Sequence, residues 1–389
     1  PLKVTENIEQ GEIYDKIIPA AAEVGIDYTN DYNGASQEGI GMTQATIRKG
    51  RRMSTAYCYL DPARGRSNLH IQANALTECL VFDGKRCTGV RYNLAGQARE
   101  AKANREVIVS AGSINSPQLL ELSGIGQATR LKDLGIDVVH NLQGVGENLR
   151  DHYSPRMKWS VPRELGLTYN DKGRGLGLVW QALKYALSDK GLLGLPAAPL
   201  RAYIKTREGL EAPDAAISWI PFLANESFKL HEDSGVTAIT HVLRSESTGN
   251  IHVSSTDPSH PPAIRFNFLS AQSDRDILLE SMKITRRIMN AGPLQGVMTD
   301  EIAPGVDIEN DNEMLDWVKK NAETTYHPVG TCKMGNDPMA VVDDQLRVHG
   351  VEGLRVADAS IMPTLTSGNT NAPSIMIGEK ASRMVLAAA

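Results

Sequence analysis

Thr325-Tyr326-His327-Pro328-Val329-Gly330-Thr331 and, further on, Ser367-Gly368-Asn369-Thr370-Asn371-Ala372-Pro373 decide the reading: Asn371 follows His327 by 44 positions and sets an amide at the mouth of a helical pattern. A lone histidine is more often a hydrogen-bonded core residue than a catalyst. Between the two stretches, however, lies Gly353-Leu354-Arg355-Val356-Ala357-Asp358-Ala359-Ser360, a short apolar run that ends in a carboxylate. Parallel strands deliver polar groups to a ligand at their carboxyl ends in this way. Further out, Val107-Ile108-Val109 reads as a buried strand leading into Ser110-Ala111-Gly112-Ser113-Ile114-Asn115-Ser116-Pro117-Gln118-Leu119-Leu120-Glu121-Leu122-Ser123-Gly124-Ile125-Gly126. Ala111 and Gly112 carry no bulk to keep a ligand away, Ser116-Pro117 is expected to cap a helix, and Ser123-Gly124 to stop it. On composition alone, an ordinary strand-to-helix turn is the better account of that stretch.

The whole chain resembles the glucose-methanol-choline oxidoreductases, flavoenzymes that oxidise alcohols, and in particular their bacterial choline-dehydrogenase-like alcohol dehydrogenases and oxidases. The stretch 110–126 matches that family's internal signature almost letter for letter, and His327 and Asn371 match its two active-site positions. The resemblance implies FAD as cofactor, an α/β and α+β fold with a Rossmann-like FAD-binding domain, and a substrate domain with an antiparallel sheet flanked by helices. It also implies that the FAD-binding domain is incomplete at its amino-terminal side. No G-x-G-x-x-G runs from a strand into a helix here, and Pro1-Leu2-Lys3-Val4 matches a point well past the family's phosphate-binding fingerprint. On that reading, on the order of 150 residues are absent or carried on a separate amino-terminal chain. A shortened relative is the plainer alternative.

Composition sets outer bounds. At 389 residues about two domains are expected. The net charge of −5 and pI near 6.0 show no basic face for nucleic acid. Cys58, Cys79, Cys87 and Cys332 show neither CxxC pairing nor a neighbouring histidine cluster, so neither a metal nor a disulfide framework is expected, and a reducing cytoplasm fits best. The most apolar stretch, 191–200, is interrupted by Pro196 and Pro199, whereas a spanning helix needs about twenty apolar residues.

Along the chain, 8–24 reads as an amphipathic helix that Pro19 would kink, and Asp31-Tyr32-Asn33-Gly34 as a turn. Strands are expected over 69–73, 77–82, 88–93 and 106–110, with a hairpin turn at Asp83-Gly84-Lys85-Arg86. Gly144-Val145-Gly146-Glu147-Asn148-Leu149 resembles a further cofactor-proximal loop. From about Tyr153 the texture changes: strands over 156–161, 215–220, 236–243 and 250–254, and helices over 176–188, 273–291 and 310–325, suggest the substrate domain. The expected segments are 1–45 (substrate domain), 46–152 (FAD-binding domain), 153–315 (substrate domain) and 316–389 (FAD-binding domain, with the catalytic pair).

Alcohol oxidation removes a hydroxyl proton and a hydride from the adjacent carbon. A base is needed near the hydroxyl, and histidine titrates in the useful range. By resemblance His327 is that base. An amide is not usefully basic, so Asn371 is expected to hold the alcohol oxygen by hydrogen bonding. Asn371 is also expected to be an N-cap, with Ala372 and Pro373 in the first turn and Ile375, Met376, Ile377, Ala381, Met384 and Val385 as the apolar stripe. The helix's positive end would then face the flavin. Asp358 and Ala359 are expected at the flavin's ribityl or diphosphate portion, although Asp358 is equally readable as a helix cap. Ala111, Gly112 and, through its backbone, Thr77 are expected near the adenosine half. The remaining histidines, His152 among them, are scattered without ligand spacing and read as structural.

Related chemistries narrow the choice. Photodecarboxylases of the family place a cysteine where Leu243 precedes Arg244, and they lack the histidine. Hydroxynitrile lyases and a non-catalytic fragment of the same fold remain alternatives. A quaternary ammonium wants a carboxylate or an aromatic cage, and 195–200 carries no acid where the family has a glutamate, so a neutral primary or aromatic alcohol fits better than choline. The electron acceptor is expected to be oxygen or a quinone.

Overall fold

Short strands, one cleanly alternating and the central ones buried almost throughout, build the first of two units. A computed structural model describes residues 2–6, 13–225 and 229–388. Its contacts divide into one unit made of 1–69, 153–243 and 275–323, and a second made of 70–152, 244–274 and 324–389. The sequence boundaries were expected at 45/46, 152/153 and 315/316. The contacts thus group 46–69 with the first unit and 244–274 with the second.

The first unit centres on a six-stranded antiparallel sheet. Its strands run in the order Glu301–Ala303, Arg156–Ser160, Gly235–Val242, Ala215–Ile220, Leu200–Ile204 and Gly39–Met42. Register places Met157, Ala238 and Trp219 side by side, all fully buried. Trp219 directs its indole N–H at the Met289 sulfur, 3.3 Å away, at the end of the helix Gln272–Met289. The alternate residues Arg156 and Lys158 are only partly covered, which is the two-faced pattern expected of an antiparallel sheet. The strand over 39–42 has no counterpart in the sequence expectations.

The expected first helix is present as Tyr14–Glu23, with Pro19 inside it and Tyr14, Ile17, Ala20 and Ala21 buried. Ile8 and Pro1, which also entered the reading, lie outside the described residues. The turn at 31–34 forms as expected, closed by the Gly34 N–H on the Asp31 carbonyl at 3.1 Å. Helices follow at Gly175–Ser188 and Asp311–Asn321, the latter capped by Asn310, whose side chain accepts from the Glu313 N–H. That last helix stops four residues short of the expected 325.

The second unit begins with a three-stranded antiparallel meander, Ala75–Asp83, Arg86–Leu94 and Gln97–Lys102. The expected strand over 69–73 does not form: Leu69 and Ile71 are exposed, so their alternation packs against nothing. The real third strand, Gln97-Ala98-Arg99-Glu100-Ala101-Lys102, is exposed throughout and carries no apolar alternation to betray it. Ala95 and Gly96, both at positive φ, supply the tight turn that pairs it. Val107–Val109 lies parallel to Leu354–Val356, and the helix Gly112–Leu122 springs from the first of these.

Ser116-Pro117 does not cap that helix but sits inside it. Pro117 has no N–H for the Ser113 carbonyl one turn back, and a proline there normally breaks a helix. The buried Thr331 hydroxyl donates to that carbonyl at 2.7 Å and so replaces the missing bond. The expected C-terminal stop holds, with Gly124 at φ 83° just past Ser123. Val109, Leu120, Ile125, Val329, Val342, Val356 and Ile377 share the core of this unit.

Candidate functional site

The loop carrying His327 belongs wholly to the second unit and is stapled to residues 150–152. Val329 and Arg150 exchange backbone hydrogen bonds of 2.9 and 3.1 Å, and the Thr325 N–H donates to the His152 carbonyl at 3.0 Å. Asp151 is 2% exposed, and its carboxylate accepts the His327 backbone N–H at 2.9 Å and the Thr324 hydroxyl. Burial pushes the Asp151 carboxyl up to about 6, with the bonds from Thr324 and from the His327 and His152 backbones acting in the opposite direction. Gly330 follows at φ 91°, where a Cβ would stand 2.4 Å from the Asn148 carbonyl, so only glycine lets the loop close this tightly.

Both ring nitrogens of His327 have close polar neighbours. His327 Nε2 lies 3.0 Å from Asn369 Nδ2, and Nδ1 lies 2.8 Å from Thr325 Oγ1 and 3.0 Å from His152 Nδ1. The two histidine rings meet edge to face, 5.2 Å apart at 90°, and His152 is fully buried. An amide NH2 can only donate, so Nε2 is the accepting nitrogen and the ring proton sits on Nδ1. The Thr325 hydroxyl gives its own proton to the His152 carbonyl at 3.2 Å, which leaves its lone pairs for that Nδ1–H. With that amide donating, Nε2 is the nitrogen that faces the 367–373 segment as an acceptor.

Asn371 is not the helix cap expected from sequence. Thr370 holds that position without a side-chain cap bond, and the helix Asn371–Ala387 starts one residue later, with Asn371 and Ala372 exposed and Pro373 partly covered. The amide in contact with His327 is Asn369, two positions earlier. It lay inside the quoted stretch but had no feature to distinguish it from Asn371. His152 was read as scattered, and Asp151 and Thr325 were not singled out. Only three-dimensional pairing brings residues 175 apart in the chain together.

Asp358 emerges from the Leu354–Val356 strand, 8% exposed. Its Oδ2 accepts the Gly112 N–H at 2.9 Å and the Ser116 hydroxyl at 2.5 Å, and Oδ1 accepts the Ser360 N–H at 2.8 Å. It therefore caps the short turn Ala359–Ile361 and also ties down the start of the Gly112–Leu122 helix, close to the cap reading weighed from sequence. Ala111 stands at that helix's N-cap position, and its N–H donates to the Ser116 hydroxyl at 3.1 Å. Gly112, at φ 82°, has no atom within 4 Å of a would-be Cβ, and the neighbouring Ser113 hydroxyl is buried with no hydrogen-bond partner. Thr77 lies in the Ala75–Asp83 strand with its side chain exposed.

The 144–149 loop is held from below. His252 sits between two carboxylates, Nδ1 at 2.7 Å from the fully buried Glu121 and Nε2 at 3.1 Å from Glu147. Glu121 also accepts the Val253 N–H at 2.7 Å, and Asn148 donates to the Gly330 and Pro363 carbonyls at 3.3 and 3.2 Å. The loop thus links a buried histidine–carboxylate cluster to the His327 segment. Among the described residues, no three His, Cys, Asp or Glu side chains converge as a metal site.

Comparison with known proteins places the chain in a family. Sequence profiles described as GMC oxidoreductase match residues 1–154 and 245–378. The oxygen-dependent choline dehydrogenase of Chromohalobacter salexigens is 40% identical over 384 residues, covering 95% of this chain and 66% of that protein. The protein of the same description from Yersinia pseudotuberculosis serotype O:3 is 40% identical over 390 residues, covering 98% and 68%. The chain spans about two thirds of the length of the curated relatives it matches. Among solved structures, pyridoxine 4-oxidase from Mesorbium loti superposes with a TM-score of 0.85 at 26% identity, over 98% of this chain and 71% of that one. Formate oxidase from Aspergillus oryzae RIB40 superposes at 0.92 and 23% identity over 100% and 72%, a likeness of fold. The chain belongs to the GMC oxidoreductase family.

Proposed function

We propose that this protein oxidises an alcohol to an aldehyde or ketone with FAD, His327 acting as the base. The observation that carries this reading is the placement of the His327 ring, with Nε2 3.0 Å from the Asn369 amide and Nδ1 held by Thr325 and His152. Bound flavin supplies the hydride acceptor. The residues present suit its ring end: an accepting imidazole, two amides and the start of a long helix lie on one short segment and the loop beside it, and Gly112 leaves open space at a strand end. A diphosphate cradle is not among these residues. We assign it to a segment outside them, on the same polypeptide or on a separate amino-terminal chain.

His327 Nε2 takes the substrate hydroxyl proton, and Thr325 Oγ1 and the His152 ring steady the imidazolium through Nδ1. Asn369 and Asn371 donate to the developing alkoxide, a role an amide fills without competing for the proton. When FAD is bound, Ala111, Gly112, Asp358 and Ala359 would hold its ribityl and adenosine side, with Ala372 and Pro373 at the helix start beside its ring end. The curated relatives are choline dehydrogenases; here the missing acid at 195–200 favours a neutral primary or aromatic alcohol, with oxygen or a quinone as the electron acceptor. Four free cysteines support placement in the cytoplasm.

The test is anaerobic reduction of the FAD-loaded protein by a panel of alcohols. His327→Ala should slow reduction by at least about 100-fold, the usual scale of general-base catalysis. Equal bleaching in wild type and variant removes His327 from the chemistry. Substrate turnover with no bleaching at all points to a lyase.

A further inference from the structure

The helix Gly175–Ser188 is inside out. Leu176, Val179, Trp180, Leu183 and Leu187 recur at i, i+3, i+4, i+7 and i+11, one continuous apolar stripe on a 3.6-residue period. A helix of a water-soluble domain turns such a stripe to the core. This one turns it outward: Leu176 is 88%, Trp180 64% and Leu187 85% exposed, Val179 and Leu183 are exposed as well, and no residue of the helix is buried. The polar side is the one that grips the protein. Gln181 accepts the Leu192 N–H at 3.2 Å, and the Tyr185 hydroxyl donates to the Gly50 carbonyl at 3.2 Å.

Gly50 belongs to a strongly basic hairpin. Ile47–Arg48 pairs with Arg51–Arg52 around a turn in which Lys49 and Gly50 both have positive φ. Arg48, Lys49, Arg51 and Arg52 are all exposed. A Cβ at Gly50 would stand 2.5 Å from the Tyr185 ring, so the hairpin and the helix are packed against each other. Arg51 lies 4.2 Å over the ring of Tyr57, itself 40% exposed. The helix that turns an apolar stripe and a tryptophan outward is therefore packed against a hairpin of four exposed cations, both within the first unit.

We propose that this surface docks on an anionic phospholipid bilayer, the helix lying in the plane of the headgroups with its leucines and Trp180 dipping below them. Fourteen residues rise only about 21 Å, too short to cross the hydrocarbon core, and among the described residues no helix is long and apolar enough to span a membrane. An in-plane helix needs an apolar face and adjacent Lys and Arg, with aromatic residues at headgroup level. A second copy of the chain fits less well. A second copy carries the same four cations and so offers no opposite charge to this hairpin. Charge complementarity thus selects the negatively charged lipid surface.

Vesicle co-sedimentation of the full-length protein tests this, with phosphatidylcholine vesicles alone and with phosphatidylglycerol added. Wild type should pellet with the anionic vesicles, lose binding as salt rises, and shift its tryptophan emission to the blue, a shift that Trp180→Phe removes. Leu176→Asn with Leu187→Asn alters only exposed positions and should weaken binding at least tenfold with an unchanged melting curve. Replacing Arg48, Lys49 and Arg52 by Gln should weaken it by on the order of 100-fold on anionic vesicles, at about fivefold per cation near such a surface. Wild type remaining in the supernatant at low salt overturns the proposal, and so does undiminished binding by the asparagine variant. A vesicle-free oligomer that the asparagine variant dissolves would assign the face to a second copy instead.

Discussion

Replacing Asp151 by Asn isolates the cost of the buried carboxylate under the His327 loop. Its folded value of about 6 stands some two units above the ordinary 3.8, which at 1.36 kcal/mol per unit amounts to about 3 kcal/mol. The sign follows from proton affinity. Between pH 4 and 6 the folded protein holds a proton that the unfolded chain has already released, so the favourable contribution present below pH 4 is lost as pH rises through 6. The carboxamide introduced by D151N does not titrate, yet its oxygen still accepts the His327 N–H that Asp151 accepts at 2.9 Å. The stability of D151N relative to wild type should therefore climb by about 3 kcal/mol from pH 4 to pH 7 and stay level above. Urea unfolding of both proteins across that range measures it, read as the difference between the two curves so that every other titrating group cancels. A difference that does not change with pH would refute the reasoning, because it would mean Asp151 ionises in the fold as it does in the open chain.

Two further substitutions probe other parts of the second unit. Thr331→Val strands the Ser113 carbonyl that Pro117 cannot serve and should cost about 1–3 kcal/mol in urea unfolding, with Thr331→Ser recovering most of it. Glu121→Ala leaves His252 Nδ1 and the Val253 N–H without their buried acceptor and should destabilise by about 1–3 kcal/mol, whereas Glu121→Gln, which retains a bond to each, should cost clearly less in the same assay.

Legibility from sequence tracked how local the cause was. The strand over 215–220 and the helix from 175 or 176 to 188 follow from their own periodicity and form nearly as expected. The exposed Gln97–Lys102 strand has no pattern of its own and exists because a two-residue turn folds it onto its neighbour. Pro117 misled for a related reason. Proline marks a helix start by its own geometry, but here a hydroxyl 214 residues further along makes an interior position tolerable. The catalytic reading rested on family likeness at His327 and Asn371. The buttress of His152, Asp151, Thr325 and Asn369 was invisible, since no spacing rule links residues brought together only by tertiary pairing. The outward face of the 175–188 helix was hidden for the same reason: periodicity reveals a stripe but not which way it points.

The Val107–Val109 strand finds its parallel neighbour at 354–356, and Gly112 is tied to Asp358 across 246 positions. During translation, the early half of this pair must wait in the open until the later half has left the ribosome. Long-range closure of this kind is slow and leaves sticky edges exposed meanwhile. Synthesis of the protein should therefore lean on holdase chaperones, and chains truncated before residue 354 should aggregate rather than accumulate half-built.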